Sequence, residues 1–556
     1  DIPCPSKIGR KLYVLRPVEP DADPRVLVDA GNGAIGSPSV SYDGKSIYVA
    51  MASDGESFYH IYRVPAGGGS PQRLTDGPFH AFDAVCLPDG GVAFHSPRCA
   101  VRFLCWRPQA YVLHRMDADG TNMRRLSHAN LSEWKPSLMQ SGRILWTRSE
   151  YLDKGADFGH TLWSVHPDGT HPELVFGNNT PNCYSQAHEV PGSQELVCTL
   201  MSHGDHSGPI ALIDRSKGPF DTEAITNITP DTRPQYQMSR SHHDTFRDPY
   251  PISRDHFLVA HNPDNQHNWG LYVIDRYGNR EWLYADPEVS IYHPTPLCSR
   301  PRPPVLPSSL DVALAEQGLG QFTVQDVYQG LGATIERGRA KYLQVCEEVP
   351  PTLELMPTGE CRADHPPFTD FYATPVHLVR GPQPNFVTRT PNAPLAGLRT
   401  NHNWTNLVTE EGPGLFRVRE GGSWPTFVAK TLHGTVPLAE DGSANFLAPA
   451  GKVLYFQLLD AEYNELQRMR SVIQLQPGER RSCIGCHDSR HSSPPPETGP
   501  DEEGTAVDIE ASLGEVRAAS PAPAGPPAPC RGGGGGGVGG GVPTALTPTY
   551  TLNPAH

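Results

Sequence analysis

From residue 10 to about residue 300 the chain alternates short apolar runs with polar turns, and the alternation repeats. Six runs of one kind, Leu12-Tyr13-Val14-Leu15, Ile61-Tyr62-Arg63-Val64, Tyr111-Val112-Leu113-His114, Thr161-Leu162-Trp163-Ser164, Ile210-Ala211-Leu212-Ile213 and Leu271-Tyr272-Val273-Ile274, recur about every 50 residues, stretched to about 60 before the last. Between them lies a polar turn that opens into an alternating strand: Asp43-Gly44-Lys45-Ser46-Ile47-Tyr48-Val49, Pro88-Asp89-Gly90-Gly91-Val92-Ala93-Phe94 and Ser141-Gly142-Arg143-Ile144-Leu145-Trp146, with weaker versions at Pro191-Gly192-Ser193 and Ser253-Arg254-Asp255. Two turn-linked hairpins in each repeat describe one four-stranded blade. Six copies predict a six-bladed propeller over residues 1–300. The first copy lacks inner strands before it, and Val289-Ser290-Ile291-Tyr292 is placed to supply them and close the ring.

The break Arg300-Pro301-Arg302-Pro303-Pro304-Val305-Leu306-Pro307 ends this pattern, because consecutive prolines remove the amide donors that a ladder needs. Beyond it, Thr323-Val324-Gln325-Asp326-Val327-Tyr328, Lys341-Tyr342-Leu343-Gln344-Val345, Ala444-Asn445-Phe446 and Val453-Leu454-Tyr455-Phe456-Gln457-Leu458-Leu459 read as strands, with a hairpin turn at Glu440-Asp441-Gly442-Ser443. Residues 301–480 therefore predict a β-sandwich-like domain, its central part looping back over the propeller, and the fold class is all-β. A short segment, 481–495, follows. From 496 to 556 the Ser/Pro, Ala/Pro and glycine runs hold too little apolar surface to offset chain entropy, which predicts a disordered tail.

Composition adds limits. The net charge of −15 argues against nucleic acid or an anionic membrane as partner. No apolar stretch approaches the roughly 20 residues of a membrane span. The Gly (54) and Pro (58) content suits turn-rich β structure in a 556-residue chain with room for two or three domains. The start, Asp1-Ile2-Pro3-Cys4, has neither the basic nor the apolar region of a signal peptide.

The segment at 481–495 carries the most chemistry. Cys483-Ile484-Gly485-Cys486-His487 is the Cys-x-x-Cys-His pattern of a covalently attached c-type haem. Two thiols on one helical turn would add across the two vinyl groups of a porphyrin, and the next residue would offer its imidazole to the iron. Half of a zinc site, a redox dithiol and a disulfide compete with that reading, although no second Cys-x-x-Cys completes a four-thiolate site and no βαβ pattern surrounds the motif. Haem c predicts an extracytoplasmic, periplasmic location, and a leader absent from this chain. There Cys99 with Cys105, or Cys346 with Cys361, would form disulfides or stay buried thiols. His487 and His491 are four residues apart, so on a helix they share a face and cannot take opposite sides of one iron. One would bind iron, leaving the other to a second metal, a carboxylate or water. Met469 is a candidate second ligand, although it reads more readily as a sandwich-core residue. His203-Gly204-Asp205-His206 and Ser241-His242-His243-Asp244 fall in loops between blade strands, where metal ligands or exposed imidazoles are both expected. Ala66-Gly67-Gly68-Gly69-Ser70 is a hairpin turn. Hydrolase motifs are missing from the sequence.

The propeller half resembles the TolB-like propellers in its Pro-Asp-Gly turns and Leu-Tyr-Val strands, a likeness of architecture. With the run from Gly434-Thr435-Val436-Pro437 through Glu440-Asp441-Gly442-Ser443-Ala444, Met469-Arg470-Ser471, Gln476-Pro477-Gly478-Glu479 and the haem motif, residues 10–495 resemble the hydrazine synthase alpha subunit family. Asp83 and Arg247-Asp248-Pro249-Tyr250-Pro251 look like further landmarks. That resemblance implies a propeller carrying a c-haem at its face, redox chemistry that couples small nitrogen compounds, and partner subunits that feed electrons. It also implies a zinc site drawing on Asp83 and residues near His203 and His242, with His487 or His491 beside it. The sequence departs from the family in two places. A second haem domain is expected after the Ser-Pro-Pro-Pro stretch, where low-complexity sequence stands, and His491 occupies the position of an iron-ligating tyrosine. These departures keep a non-catalytic electron-transfer cytochrome in view as one alternative, and a haem-free binding propeller is the other.

Overall fold

The computed structural model describes residues 10–101, 109–129, 131–150, 160–177, 180, 183–201, 206–232, 244–263, 268–331, 335–350, 430–469 and 471–486, and the backbone of 353–355, 360–363, 408–412, 415–418, 429, 507–508 and 549–551. The fold is all-β. The one α-helix among the described residues is the single turn Val312–Glu316, capped by the Asp311 carboxylate, which accepts from the Ala313 and Leu314 amides.

Five four-stranded antiparallel sheets follow one another from residue 34 to 284, each with its strands in sequence order. The innermost strands, Ala34–Val40, Phe82–Cys86, Glu133–Leu138, Cys183–Glu189 and Thr245–Pro251, pack each against the next. This is propeller architecture. The second strands, such as Ile144–Ser149, are buried on both faces because each sheet is covered by a neighbour on either side, which explains why they read as apolar throughout. Tyr48, Phe82 and Phe94 fill the seam between the first and second sheets; Val85, Leu113, Trp146 and Trp163 fill the next. Burying each such side chain stabilises the ring by roughly 1.5–3 kcal/mol.

The repeats legible in the sequence are the second and third strands of each blade. The first strands were not legible, and the reason is physical. Each is broken by a bulge, with register shifts at Gly36/Ser39, Phe82/Val85, Trp134/Ser137, Ser185/His188 and Arg247/Tyr250. An extra residue inverts the inward–outward alternation and erases the period of two.

The N-terminal pair Lys11–Val14 and Arg25–Asp29 forms a two-stranded sheet whose Leu12, Leu27 and Val28 pack with Leu297 against the first four-stranded sheet. The inner segment expected at 289–292 carries no strand ladder. Its Ile291 amide donates to the Trp269 carbonyl at 2.9 Å, and the chain continues past His293 without regular secondary structure. The proline-rich linker then crosses the face made by the turns between first and second strands. Arg300 stacks on Tyr42, 4.7 Å from the ring centre, while Gly44 lies so close to the Cys298 and Ser299 backbone that a Cβ would sit 2.9 Å from it.

Beyond the linker two sheets pack face to face. One orders Arg480–Cys483, Leu319–Val324 and Ala444–Pro449, with Val507–Asp508 beside the last; the other orders Ala429–Pro437, Tyr342–Val349, Leu454–Leu459 and Glu465–Arg468. Phe322, Phe446 and Phe456 meet at the centre, with rings 5.1–5.7 Å apart. The predicted strand at 323–328 instead begins at Leu319 and stops at Val324, because the Asp326 carboxylate accepts from the Tyr328 amide and turns the chain. Most of the expected central loop and tail lies outside the described residues. So do Cys105 and the Cys361 side chain; the Cys99 thiol donates to the Ala110 carbonyl at 3.2 Å and that of Cys346 to the Gln457 side-chain oxygen at 3.4 Å.

Candidate functional site

Cys483 is the last residue of a strand that runs parallel to Leu319–Val324, opposite Val324. The expectation of one helical turn is therefore replaced by a strand end followed by a bend. The Gln325 amide donates to the Cys483 carbonyl at 2.9 Å and the Asp326 amide to that of Ile484 at 3.0 Å. Gly485 then presses onto this turn: a Cβ there would meet the Gln329 Cβ at 2.4 Å and the Asp326 carbonyl at 2.8 Å, so glycine alone is accommodated. Cys483 and Cys486 rest against the sandwich core of Phe322, Val324, Val327 and Leu331. Burial first, then the nearby Cys483 sulfur and the Asp326 carboxylate, push the Cys486 thiol up to about 12. It is protonated at neutral pH. His487 and His491 lie outside the described residues, as do His203 and His242. Met469 packs into the sandwich core.

The stretch leading to the thiols, residues 471–481, is laid as a strap along the second and third propeller sheets. The Ser471 hydroxyl donates to Glu150 at 2.9 Å, Gln474 accepts from the His128 amide at 2.7 Å, and Gln476 donates to the Leu126 carbonyl at 2.8 Å. Further on, the Glu479 carboxylate accepts from the His171 amide at 2.8 Å and the Gln476 amide at 2.9 Å, and Arg481 donates to the Pro172 carbonyl at 2.6 Å.

A second constellation lies on the inner strands. Ser37, Asp83, Lys135, Gln186 and Asp248, one from each bulge, all have φ near +50°, and so does His293 from the segment after the fifth sheet. Side chains at these positions join in two arcs. Asp83 Oδ1 accepts from Ser37 Oγ at 2.7 Å and Lys135 Nζ at 3.0 Å; Asp248 accepts from Gln186 at 2.5 Å, pairs with His293 Nδ1 at 3.0 Å and with Arg247 Nε at 2.9 Å. Although burial opposes it, Asp83 is held below the usual carboxylate range by Lys135, and Asp248 by Arg247 and His293. His95, paired in register with Phe82, lies close to Asp83 and Lys135 with both ring nitrogens buried and without a hydrogen-bond partner; burial holds it down to about 4. His206 turns its Nδ1 to Ser185 at 3.2 Å and meets Trp134 edge-on. Among the described residues no group of three His, Cys, Asp or Glu side chains could hold a metal ion. No helix of the described residues is long and apolar enough to cross a membrane.

The profile of the hydrazine synthase alpha subunit middle domain matches residues 399–488, a span that includes half of the sandwich, the strap and both thiols. A hydrazine synthase chain from Kuenenia stuttgartiensis superposes with TM-score 0.63 at 16% identity, covering 84% of this chain and 64% of its own. Over residues 399–488 the chain is similar to the hydrazine synthase alpha subunit family. It spans less than two thirds of that relative's length. A TolB from Agrobacterium tumefaciens aligns at TM-score 0.33 and 16% identity over 47% of this chain and 84% of its own, and a TolB from Acinetobacter baumannii at 0.30 and 14% over 50% and 63%. No curated protein matches the sequence.

The sequence landmarks fall on two structural devices. Asp83 and Asp248 are the acidic centres of the two axial arcs. Ser471, Gln476 and Glu479 are strap anchors. Lys135, His293 and His95 were missed, because a bulge position and an isolated strand histidine carry no periodic signal.

Proposed function

We propose that this chain is a c-type haem protein, acting outside the cytoplasm on small nitrogen compounds as the hydrazine synthase relationship suggests. Cys483 and Cys486 would hold the porphyrin through thioethers, and His487 or His491 would bind the iron. The observation that carries this reading is the thiol turn. Two sulfurs three residues apart lie on an apolar wall, the spacing and surroundings that a porphyrin held by two thioethers requires. When bound, such a haem supplies electron transfer and a coordination position for a small nitrogen species.

The chain's own residues hold and dry that site. The Phe322, Val324 and Val327 wall excludes water from one side, Gly485 lets the turn close, and the strap fixes the turn to the propeller. We read the propeller as six-bladed, with the 291–297 segment and the N-terminal pair as its incomplete sixth blade, on the strength of six equivalent positive-φ positions. Zinc at Asp83 would compete with the Lys135 ammonium and Ser37 hydroxyl for its carboxylate. Partner subunits would deliver electrons, since one haem does not store several.

The test is an absorption spectrum of periplasmically matured protein, oxidised and reduced, before and after nitric oxide. A covalent haem whose spectrum shifts supports an open, reactive iron. An unshifted c-type spectrum means an electron carrier, and absence of haem leaves a binding propeller.

A further inference from the structure

We propose that Glu479 is a positioning residue that clamps the thiol turn to the third propeller sheet, so that the propeller sets the placement of the cofactor; the inference rests on the haem reading of Cys483 and Cys486. Glu479 is 1% exposed. Its two oxygens have separate duties. One accepts from His171, in the turn before the outermost strand of the third sheet, and the other from Gln476, in the strap. Its own carbonyl accepts from the Gln321 amide, where the parallel strand ending at Cys483 begins. One residue thus joins propeller, strap and sandwich four positions before the first thiol.

The neighbouring contacts act in the same direction. Arg481 donates to Pro172, next to His171, and Gly169 sits so near Gln476 that a Cβ would lie 2.6 Å from its side-chain Nε2. The turn from Gly169 to Pro172 is therefore moulded to the strap, and a shift of either is felt by the other. Residues 480–483 have no slack to absorb it, because they are hydrogen-bonded in register to 321–324.

Glutamine at 479 keeps the shape but has one acceptor oxygen. One of the two amides must then face an NH2 group, so one joint of the clamp opens. Aspartate keeps both acceptors on a shorter stem. In protein matured with haem, Glu479→Gln is expected to retain covalent haem, to raise amide exchange at least about tenfold in 166–172 and 471–486, and to shift the reduction potential; Glu479→Asp should fall between it and wild type. Unchanged exchange and potential in Glu479→Gln would overturn the clamp. If Glu479→Gln does not fold, Ser471→Ala, which cuts only the Glu150 contact, should produce the same two changes at smaller scale, and none would again overturn it. A haem stain of the wild type tells the two ideas apart. Haem-free protein with fast exchange in Glu479→Gln refutes the cofactor reading and leaves the strap–propeller joint standing, whereas haem-bearing protein with no change refutes the clamp alone.

Discussion

Replacing His114 by asparagine isolates one source of acid lability in the propeller. His114 is 4% exposed on the third strand of the second sheet, and its Nδ1–H donates to the Val112 carbonyl at 2.9 Å. Burial, with Arg125 nearby, holds its pKa down to about 3, against 6.5 for a free imidazole. A group depressed on folding lends stability above its unfolded pKa, and that stability is lost as pH falls toward the folded value. Between pH 7 and pH 5 the unfolded chain takes up most of a proton at this position while the folded chain takes up almost none, a loss of about 1.9 kcal/mol. His60 and His95, 3% and 2% exposed and both held down to about 4, each add a similar amount. Together the three remove roughly 5–6 kcal/mol, comparable with the whole stability of many domains. Asparagine keeps an N–H for the Val112 carbonyl and does not titrate. Urea unfolding of the propeller, followed by tryptophan fluorescence at both pH values, should show the variant losing about 1.9 kcal/mol less than wild type on acidification. Equal losses would refute burial of a neutral imidazole at this position.

Three further substitutions probe the ion pairs and the thiol turn. Arg148, 1% exposed, has Glu133 and Glu150 at 3.9 and 3.8 Å, so Arg148→Met should destabilise by about 3 kcal/mol by removing the cation that faces two buried carboxylates, read from the urea midpoint. Asp83→Asn should cost about 3 kcal/mol at pH 7, with the difference from wild type shrinking as pH falls below the ordinary carboxylate value of 3.8, because the lowered pKa lends stability only while the group is ionised. Gly485→Ala drives a methyl into the backbone of Asp326 and Gln329 and should abolish or sharply reduce covalent haem on a haem-stained gel, while the propeller's melting transition is unchanged.

The alternation of apolar runs and turns carried the all-β class, the second and third strand of every blade, the linker and four of the sandwich strands in some part, since each of those strands has one constant relation to a core and a pattern of period two records it. Cys483 and Cys486 stand out in the sequence for a different reason: the haem attachment proposed for them depends on local spacing, which a sequence displays directly. The inner strands were not legible, because a bulged residue near φ +50° breaks the period, and its partners come from other blades. His293 shows this most clearly. Nothing adjacent to it in the chain marks it, yet it completes the Asp248 arc from 45 residues away. The strap belongs to the same class: Glu479 meets His171 across 308 residues, so its role exists only once the sandwich has been set beside the propeller. Contacts within a strand or turn are written in neighbouring residues, whereas the axial arcs and the strap depend on surfaces that come together only when the ring closes and the domains pack.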